Sequence, residues 1–345
     1  MTTEVLFEEI EGKGGDLGII TLNRPSALNA LTLTMIHAMQ EKLTAWESAD
    51  HIKAVVIRAA EGRAFCAGGD LRLMHEHMQK QNPGVIDFFR DEYALNSRIY
   101  HYSKPYIALL DGITMGGGAG ISIHGSHRIA TERLLFAMPE TGIGFFPDVG
   151  GTYFLPRLPD YFGYYLGLTG ARIACDWALH LGIVTHKMAE EAIPLLLNEL
   201  AQQSFASDAK ATVSTILEQY CIPAKLILSM EDRRAIRDCF SANTIEEILS
   251  ALEQHKQDIC QQAAITMLKK SPTSLKVSLK AFQQGLSYSF DACMKQEYKL
   301  VSHFLKNHDF IEGIRAAIID KDQMPIWYPA TLSLVSANQV EHYFN

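Results

Sequence analysis

Two apolar runs of buried-strand length, each followed by a glycine-rich turn, constrain this chain most. The runs Ala54-Val55-Val56-Ile57 and Tyr106-Ile107-Ala108-Leu109-Leu110 precede Phe65-Cys66-Ala67-Gly68-Gly69-Asp70 and Gly116-Gly117-Gly118-Ala119-Gly120, respectively. Continuous apolar runs of this length predict strands that are buried on both faces, as in a parallel sheet. A short helix from about Gly118 and a further strand near residues 127–130 continue the pattern. We therefore expect an α/β fold in which strand, turn and helix recur.

The segments before the first run predict a hairpin and a helix. Residues 5–10 and 17–22 have the composition of short strands, and three glycines lie between them. From Thr32 as a cap, apolar residues then recur at helical spacing as far as Trp46.

The composition shifts after His186 toward helix-forming segments. In Thr244–Gln262, for example, Ile245, Ile248, Leu249 and Leu252 share one helix face behind a Thr244 and Glu247 capping box. We therefore predict a core of residues 1–186 and a mainly helical region of residues 187–345 that packs on it, without a flexible linker between them.

Composition and charge exclude several classes of function. The chain has 345 residues, of which 48% are hydrophobic and 20% charged, as in ordinary globular proteins. Its net charge of −8 and the absence of a basic run argue against nucleic acid or an anionic membrane as a partner. The six cysteines form no paired motif, which predicts free thiols and no metal site. The most apolar long stretch, Tyr106–Ile123, is interrupted by Asp111 and five glycines. Since the start of the chain also lacks a leader-like pattern, we expect a cytoplasmic protein without a membrane span.

The glycine-rich turns could bind an anionic oxygen. Two turns after neighbouring strands can aim backbone N–H groups at one point, which is the requirement for an oxyanion hole. The alternative is that each turn only ends a strand. The glycine patterns of dinucleotide-binding and phosphate-binding loops do not match, and Ser122 lacks the glycine that would make a nucleophile elbow. His75 and His77 do not complete a zinc motif and predict a solvated helix face.

A third segment, Met138–Gly151, places two acids among apolar residues. Glu140 and Asp148 lie in a stretch that contains two prolines and four glycines, which is too irregular for a helix. Burial favours the neutral form of a carboxyl group and moves its pKa toward values suited to acid and base catalysis. The alternative is that Glu140 caps a helix and Asp148 closes a turn.

At these residues the chain resembles the crotonase superfamily, and most closely its members that hydrolyse a hydroxyacyl-CoA. The resembling segments are Asn23–Leu31, Phe65–Asp70, Lys104-Pro105, Gly112–Gly120, Phe136–Gly151, Tyr153–Leu158, Ser271–Lys276 and His308–Gln323, so that the resemblance covers roughly residues 4–330. It implies a crotonase-like repeated ββα superhelix with a helical carboxyl-terminal extension.

The resemblance also implies roles for individual residues. Backbone N–H groups at Ala67, or alternatively Gly68, and at Gly117 would hold the thioester oxygen. Glu140 and Asp148 fall at catalytic positions, and Glu92 matches an acid that contacts substrate. The segment bordering coenzyme A would include Arg24, Ala27 and Leu28.

The implied activity is hydrolysis of an acyl-CoA thioester, with 3-hydroxyisobutyryl-CoA of valine degradation as the expected substrate. Glu140 would either attack the thioester to give an anhydride or activate water. The superfamily's hydratases carry a second glutamate where this chain has Gly120, and a glycine where it has Asp148, so hydration or isomerisation of an enoyl-CoA is the alternative. A non-catalytic or RNA-binding member fits the retained acids and the negative charge less well. Coenzyme A is part of the substrate, so we expect no separate cofactor and no metal, and a homo-oligomer is left open.

Overall fold

The computed structural model describes residues 3–80, 82, 84–205, 208–225 and 228–345. Its strands, in chain order, are β1 (Val5–Ile10), β2 (Asp16–Leu22), β3 (Ile52–Ala59), β4 (Ala64–Cys66), β5 (Tyr106–Leu110), β6 (Ile113–Met115), β7 (His127–Ala130), β8 (Leu135–Ala137), β9 (Ile173–Ala174) and β10 (His186–Lys187).

Its helices, in chain order, are α1 (Leu33–Ser48), α2 (Leu71–Gln79), α3 (Gly84–Tyr100), α4 (Gly117–Gly120), α5 (Gly151–Phe154), α6 (Phe162–Thr169), α7 (Cys175–His180), α8 (Ile193–Gln202), α9 (Ala209–Leu217), α10 (Met230–Phe240), α11 (Ile245–Gln254), α12 (Asp258–Met267), α13 (Pro272–Gly285), α14 (Phe290–Phe304), α15 (His308–Ile314) and α16 (Ala337–His342).

The chain forms two compact units, and each draws on several stretches of sequence. The first comprises Met1–Gly69, Ala94–Phe136 and Ile173–Ile227, and the second comprises Asp70–Tyr93, Ala137–Arg172 and Leu228–Asn345. The predicted boundary after residue 186 therefore falls inside the first unit.

The first unit is built on two sheets. A six-stranded sheet has the order β1-β2-β3-β5-β7-β10, in which β1 and β2 are antiparallel and the other neighbours are parallel. A four-stranded sheet has the order β4-β6-β8-β9. The predicted hairpin, the helix capped by Thr32 and the buried strands are confirmed, and Thr32 Oγ1 accepts a hydrogen bond from Met35 N at 3.2 Å.

A short extra strand precedes each glycine-rich turn; the local sequence patterns do not predict it, but the ββα unit implied by the family resemblance does. β3 is followed by β4, and β5 is followed by β6, before the chain turns into a helix. β4 and β6 are parallel neighbours in the smaller sheet. The repeated unit of the fold is therefore two strands and a helix, and it brings the two turns to the same edge of that sheet.

Alternate side chains of the large sheet form the core of the first unit. Leu17 and Ile19 of β2, Ala54 and Val56 of β3, and Ile107 and Leu109 of β5 are buried together with leucines of α8 and apolar residues of α9. The period of two along each strand is that of a sheet face covered by helices.

The second unit is mainly helical. The capping box of Thr244 and Glu247 begins α11 as predicted, and Ile245, Ile248, Leu249 and Leu252 are buried. The segment predicted as helical up to Gln262 is interrupted, because α11 ends at Gln254 and α12 begins at Asp258. His255 has an extended backbone and ends the first helix.

Candidate active site

Three acids that the sequence singles out lie with a fourth in a buried group within the second unit. Glu92 lies on α3, Glu140 opens a 3-10 turn (Glu140–Ile143), Asp148 lies in the irregular segment that follows, and Glu297 lies on α14. Their exposed fractions are 2%, 6%, 5% and 0%, respectively. Burial, and then the charge of Asp148, raise the pKa of both Glu92 and Glu140 well above the ordinary range.

Asp148 is held by a tyrosine. The Tyr93 hydroxyl donates a hydrogen bond to Asp148 Oδ2 at 2.5 Å. Burial raises the pKa of Asp148 to about 7, and the hydrogen bond from Tyr93 opposes this rise by favouring the carboxylate. The main-chain carbonyl of Asp148 also accepts from Gly151 N at 2.7 Å, so the residue does close a turn, but its side chain is engaged separately.

Glu92 and Glu140 each keep one buried oxygen without a hydrogen-bond partner among the described residues. These atoms are Glu92 Oε1 and Glu140 Oε2. Glu140 does not cap a helix, because Pro139 is the N-cap of its turn and no side chain caps it. Buried polar atoms are normally hydrogen bonded, so two unpaired carboxyl oxygens in one group indicate places where a ligand or water binds.

Phenylalanine rings from the segments that carry these acids pack into an aromatic cluster. Phe89 stacks on Phe145 with ring centroids 5.4 Å apart, and Phe145 stacks on Phe310 at 4.5 Å. Phe146 stacks on Phe304 at 5.3 Å. These rings come from segments that also carry the acids, and burial is the largest cause of the raised pKa values.

A lysine lies against the turn that carries Glu140. A Cβ placed on Gly142 would be 3.0 Å from Lys270 Nζ. Burial lowers the pKa of Lys270, and the charge of Glu140 opposes this effect. In return, the Lys270 ammonium favours the ionised form of Glu140, although burial and Asp148 act more strongly in the opposite direction.

The turn after Asp148 has an unusual backbone. Val149 has φ = 51° and Gly150 has φ = 85°, so two successive residues are left-handed. This conformation is rare for a β-branched residue and costs roughly 1–2 kcal/mol relative to a right-handed one. Glu297 accepts hydrogen bonds from Gly150 N at 2.8 Å and from Thr152 N at 3.0 Å.

Sequence reasoning missed Glu297 and Tyr93. Glu297 is separated from Gly150 by 147 positions, so no local motif connects them. A signal was nevertheless present, because Glu297 is the one acid on the buried face of α14, otherwise formed by Phe290, Cys293, Met294, Leu300, Val301 and Phe304. An acid in an apolar helical stripe predicts a buried carboxylate with dedicated partners.

The two glycine-rich turns approach each other within the first unit. A Cβ placed on Gly68 would be 3.4 Å from Met115 O and 3.7 Å from Gly117 N. Gly68 has φ = 110°, a conformation that favours glycine. A Cβ on Gly118 would lie 2.2 Å from Cys66 O, so close packing of the two turns also requires a glycine there.

The amides of the first turn differ in availability. Ala67 N already donates to Leu28 O at 3.0 Å, so it is not available to a ligand in this arrangement. Of the two residues predicted for this turn, the alternative, Gly68, is therefore the better candidate. Within the described part of the chain, no hydrogen bond is found for the amides of Gly68 and Gly117. The oxyanion role of these two amides stays a prediction.

The segment expected to border coenzyme A contacts the same turn. Ala27 ends a 3-10 turn (Pro25–Ala27), Leu28 is left-handed with φ = 51°, and Leu31 N donates to Gly68 O at 2.8 Å. The Arg24 guanidinium forms an ion pair with Glu4 at 3.0 Å. It also donates to Ala30 O at 2.5 Å, so a ligand phosphate would have to compete for Arg24.

One group of side chains has metal-ligand geometry among the described residues, and it lies at the surface. The atoms of Glu9, Asp16 and His51 are within 4.8 Å of one another. Glu9 is already bound by Trp46 Nε1 at 2.7 Å and by Lys42 Nζ at 3.1 Å. These hydrogen bonds lower the pKa of Glu9 to about 2, as expected for a member of a surface ion-pair network. The six cysteines all lie among the described residues, and none of them forms a disulfide.

Among the described residues, no helix combines the length and apolar character needed to cross a bilayer.

A family model described as enoyl-CoA hydratase/isomerase matches residues 17–344. The chain is similar to two proteins named 3-hydroxyisobutyryl-CoA hydrolase, mitochondrial. It is 44% identical to that of Rattus norvegicus and 43% identical to that of Homo sapiens, in each case over 99% of this chain and 89% or 88% of the relative.

Two solved structures resemble the chain over nearly its whole length. One is a carnitinyl-CoA dehydratase from Mycobacterium thermoresistibile, with a TM-score of 0.89, 36% identity and coverage of 100% of this chain and 97% of the other. The second is an enoyl-CoA hydratase from Rhodobacter sphaeroides, with a TM-score of 0.86, 34% identity and coverage of 99% and 97%.

Proposed function

The chain belongs to the enoyl-CoA hydratase/isomerase family and has the crotonase fold, and we propose that it hydrolyses the thioester of 3-hydroxyisobutyryl-CoA to 3-hydroxyisobutyrate and coenzyme A. The observation that carries this proposal is the buried group of Glu92, Glu140 and Asp148, in which two carboxyl oxygens lack partners among the described residues. The names of the similar hydrolases support the same reaction and substrate.

The raised pKa values suit the acids to this reaction. A carboxylate whose pKa lies near neutrality is a stronger base and nucleophile than an ordinary one, and a neighbour that stays protonated can donate. Glu140 would attack the thioester carbon to give an anhydride, which water then cleaves, or it would remove a proton from the attacking water. In both routes the C–S bond breaks, and the thiolate leaves and takes up a proton. In the general-base route the water oxygen enters the product acid. In the anhydride route water attacks the Glu140 carbonyl carbon, so that an oxygen of Glu140 leaves with the product and the water oxygen stays in Glu140.

Asp148 and Glu92 would orient the substrate. The substrate hydroxyl can donate to a carboxylate or accept from a protonated acid, and Asp148 is held for this contact by Tyr93. The Oε1 atom of Glu92, which has no partner among the described residues, offers a second position for the hydroxyl or the water.

Charge that develops on the thioester oxygen requires hydrogen-bond donors. We assign this role to the backbone amides of Gly68 and Gly117, which are close to each other within the first unit. Removal of one such donor typically costs roughly a hundredfold or more in rate. Arg24, Ala27 and Leu28 are proposed to border coenzyme A. Since coenzyme A enters with the substrate, the reaction needs no resident cofactor.

Hydration of an enoyl-CoA is the second candidate, because the two similar structures carry the names of a dehydratase and a hydratase. The residue at position 120, a glycine, argues against hydration. Addition of water across a double bond uses two acids that act together, and the superfamily's second glutamate is absent at Gly120 in this chain.

A single pair of assays separates the candidates. We expect the purified protein to release free thiol from 3-hydroxyisobutyryl-CoA and to leave the enone absorbance of crotonyl-CoA unchanged. Loss of the enone absorbance without thiol release would establish hydration instead. Asp148→Asn should reduce thiol release by about a hundredfold or more, whereas the exposed-site control Glu253→Gln should match the wild type.

Solvent-oxygen labelling distinguishes the two routes. In a single turnover in labelled water, the anhydride route first places the label in the Glu140 carboxylate, and the general-base route places it in the product. Digestion and mass spectrometry of the peptide that contains Glu140 measure this directly.

Two further expectations stay predictions. The cytoplasmic location expected from the sequence contrasts with relatives that are named as mitochondrial proteins, and fractionation of the source cells would decide it. A homo-oligomer would be detected by light scattering on the purified chain.

A further inference from the structure

Glu297 is a buried acid that the proposed reaction does not use. It lies on the apolar face of α14 and has an exposed fraction of 0%. A carboxyl group at such a position is costly to bury unless all its hydrogen-bonding capacity is used. Its partners therefore indicate why an acid is placed there.

The hydrogen-bond partners of Glu297 lie in the segment directly after Asp148. Gly150 N donates to Oε2 at 2.8 Å, and Thr152 N donates to Oε1 at 3.0 Å. The Thr152 hydroxyl donates to the same Oε1 at 2.5 Å. The two oxygens thus bridge two backbone amides that lie on either side of Gly151.

The bridged segment has an unusual backbone conformation. Val149 and Gly150 are left-handed, with φ of 51° and 85°, and the hydrogen bond from Gly151 N to Asp148 O closes the turn. A β-branched residue adopts this conformation only where its surroundings impose it. Glu297 accepts hydrogen bonds from the residues immediately after Val149, and so it fixes the direction in which the chain leaves Asp148.

We propose that Glu297 is a positioning residue for the reaction, because its carboxyl group bridges the Gly150 and Thr152 amides and so holds the turn that presents Asp148. Glu297 does not touch the substrate and acts through Asp148. This inference rests on the proposed function, since it assumes that Asp148 takes part in thioester hydrolysis.

Three variants test this role. Glu297→Gln keeps the side-chain size but turns an N–H donor toward one of the two amides. Glu297→Asp keeps the charge, but its side chain is one methylene too short to bridge both amides. The matched control Thr152→Val removes only the hydroxyl and leaves both backbone amides on Glu297. For each protein we would measure kcat, KM, the pH dependence of kcat/KM, and hydrogen–deuterium exchange of the peptide that covers residues 146–154.

For Glu297→Gln we expect kcat to fall by about tenfold to a hundredfold, because a small displacement of a reacting group is costly. KM should stay within about threefold of the wild-type value, since few binding contacts are lost. Exchange should be faster in residues 146–154. Glu297→Asp should lose activity in the same direction, and Thr152→Val should stay within about threefold of the wild type.

The pH profile adds a readout that loss of stability alone would not change. Burial raises the pKa of Glu297 to about 8, so its charge, which is a minor cause of the raised pKa of Glu140, is present only in the alkaline part of the profile. Glu297→Gln should therefore leave the acidic limb in place and change the profile only above about pH 8. Glu297→Asp keeps an ionisable group and should not show that alkaline change.

Unchanged kcat in folded Glu297→Gln would overturn the proposal, even if the variant melts at a lower temperature. Unchanged exchange in residues 146–154 would also overturn it. If Glu297→Gln does not fold, Glu297→Asp carries the same two tests. A wild-type protein that releases no thiol would contradict the proposed function, whereas the exchange experiment tests the hold on the turn independently of activity.

Discussion

Two kinds of buried acid occur in the second unit, and they differ in how their oxygens are used. Both oxygens of Glu297 accept hydrogen bonds, and Asp309 likewise accepts from Ser271 Oγ at 2.6 Å and from Tyr328 N at 2.7 Å. Glu92 and Glu140 each keep one oxygen without a partner among the described residues. The first kind holds the chain in place, and the second kind leaves hydrogen-bonding capacity for a ligand.

Asp148 connects the two kinds. Its Oδ2 atom is held by Tyr93, and its main chain leads into the turn that Glu297 bridges. Burial raises its pKa to about 7, so that it changes charge within the range where an enzyme works. The comparison therefore predicts that changes on the unpaired acids affect activity most, while changes on the paired acids affect geometry and stability.

The largest effect is expected for Glu140→Gln. The amide can neither attack a thioester nor accept a proton from water, so kcat should fall by about a thousandfold or more. The free energy of unfolding at pH 8 should be equal to or higher than that of the wild type. In the wild type, burying Glu140 opposes its ionisation and so costs stability at this pH, and the neutral glutamine carries no such cost. Thiol release and urea unfolding measure the two quantities, with Glu253→Gln as the control. An active Glu140→Gln variant would remove Glu140 from the mechanism.

The sequence alone predicts part of the fold and part of the acid group. Local patterns predicted the hairpin, the helix after Thr32 and the capping box at Thr244, because each depends on neighbours within one turn or strand. The apolar composition of residues 138–151 singled out Glu140 and Asp148 as buried acids, and the resemblance to a family added Glu92. The missing partners of two oxygens depend on packing of segments far apart in the chain, which no local pattern encodes.

Three features of the molecule show the limit most clearly. Glu297 accepts a hydrogen bond from Gly150 N, 147 positions away in the sequence. Ala67 N donates a hydrogen bond to the carbonyl oxygen of Leu28, which lies in a different turn. The strands β4 and β6 have 3 residues each, too few for a hydrophobic period to be recognised. Each of these features is fixed by tertiary contacts rather than by local preference.

The next effect concerns stability and pH. In the folded protein the pKa of Asp148 is raised from 3.8 to about 7, and that of Glu297 from 4.5 to about 8, in both cases mainly by burial. Between the unfolded and folded values, the native state keeps protons that the unfolded state has lost, so a rise in pH favours unfolding.

We therefore expect the free energy of unfolding to decrease from pH 5 to pH 9 by about 7 kcal/mol at most, since two pH units for Asp148 and three for Glu297 lie between pH 5 and the folded-state values, and each unit corresponds to about 1.4 kcal/mol. Urea titrations across this range measure it. The decrease should be smaller in Glu140→Gln, which has one buried acid fewer. A stability that is flat or rises over this interval would show that the acids are ionised in the native state at little cost.

A smaller effect is expected for Tyr93→Phe. The hydrogen bond from Tyr93 favours the carboxylate of Asp148, so its loss should raise the pKa of Asp148 further above its ordinary range. If ionised Asp148 is the active form, the acidic limb of kcat/KM moves to higher pH, and activity at pH 7 falls by up to about tenfold. Activity should largely recover at pH 9. The exposed-site control Tyr298→Phe should leave the profile unchanged.

The smallest effect is expected for Lys270→Gln, which tests how a neighbouring positive charge affects Glu140, one of the two acids with an unpaired oxygen. The Lys270 ammonium lies against the turn that carries Glu140 and favours the ionised form of that acid, but burial and Asp148 dominate. Loss of the positive charge should raise the pKa of Glu140 slightly further, with about a twofold loss of activity on the acidic limb. Lys269→Gln, which changes the exposed neighbour, is the control. An electrostatic loss of activity should become smaller at high salt. A loss of activity that does not depend on pH or salt would instead show that Lys270 holds the turn sterically and not through its charge.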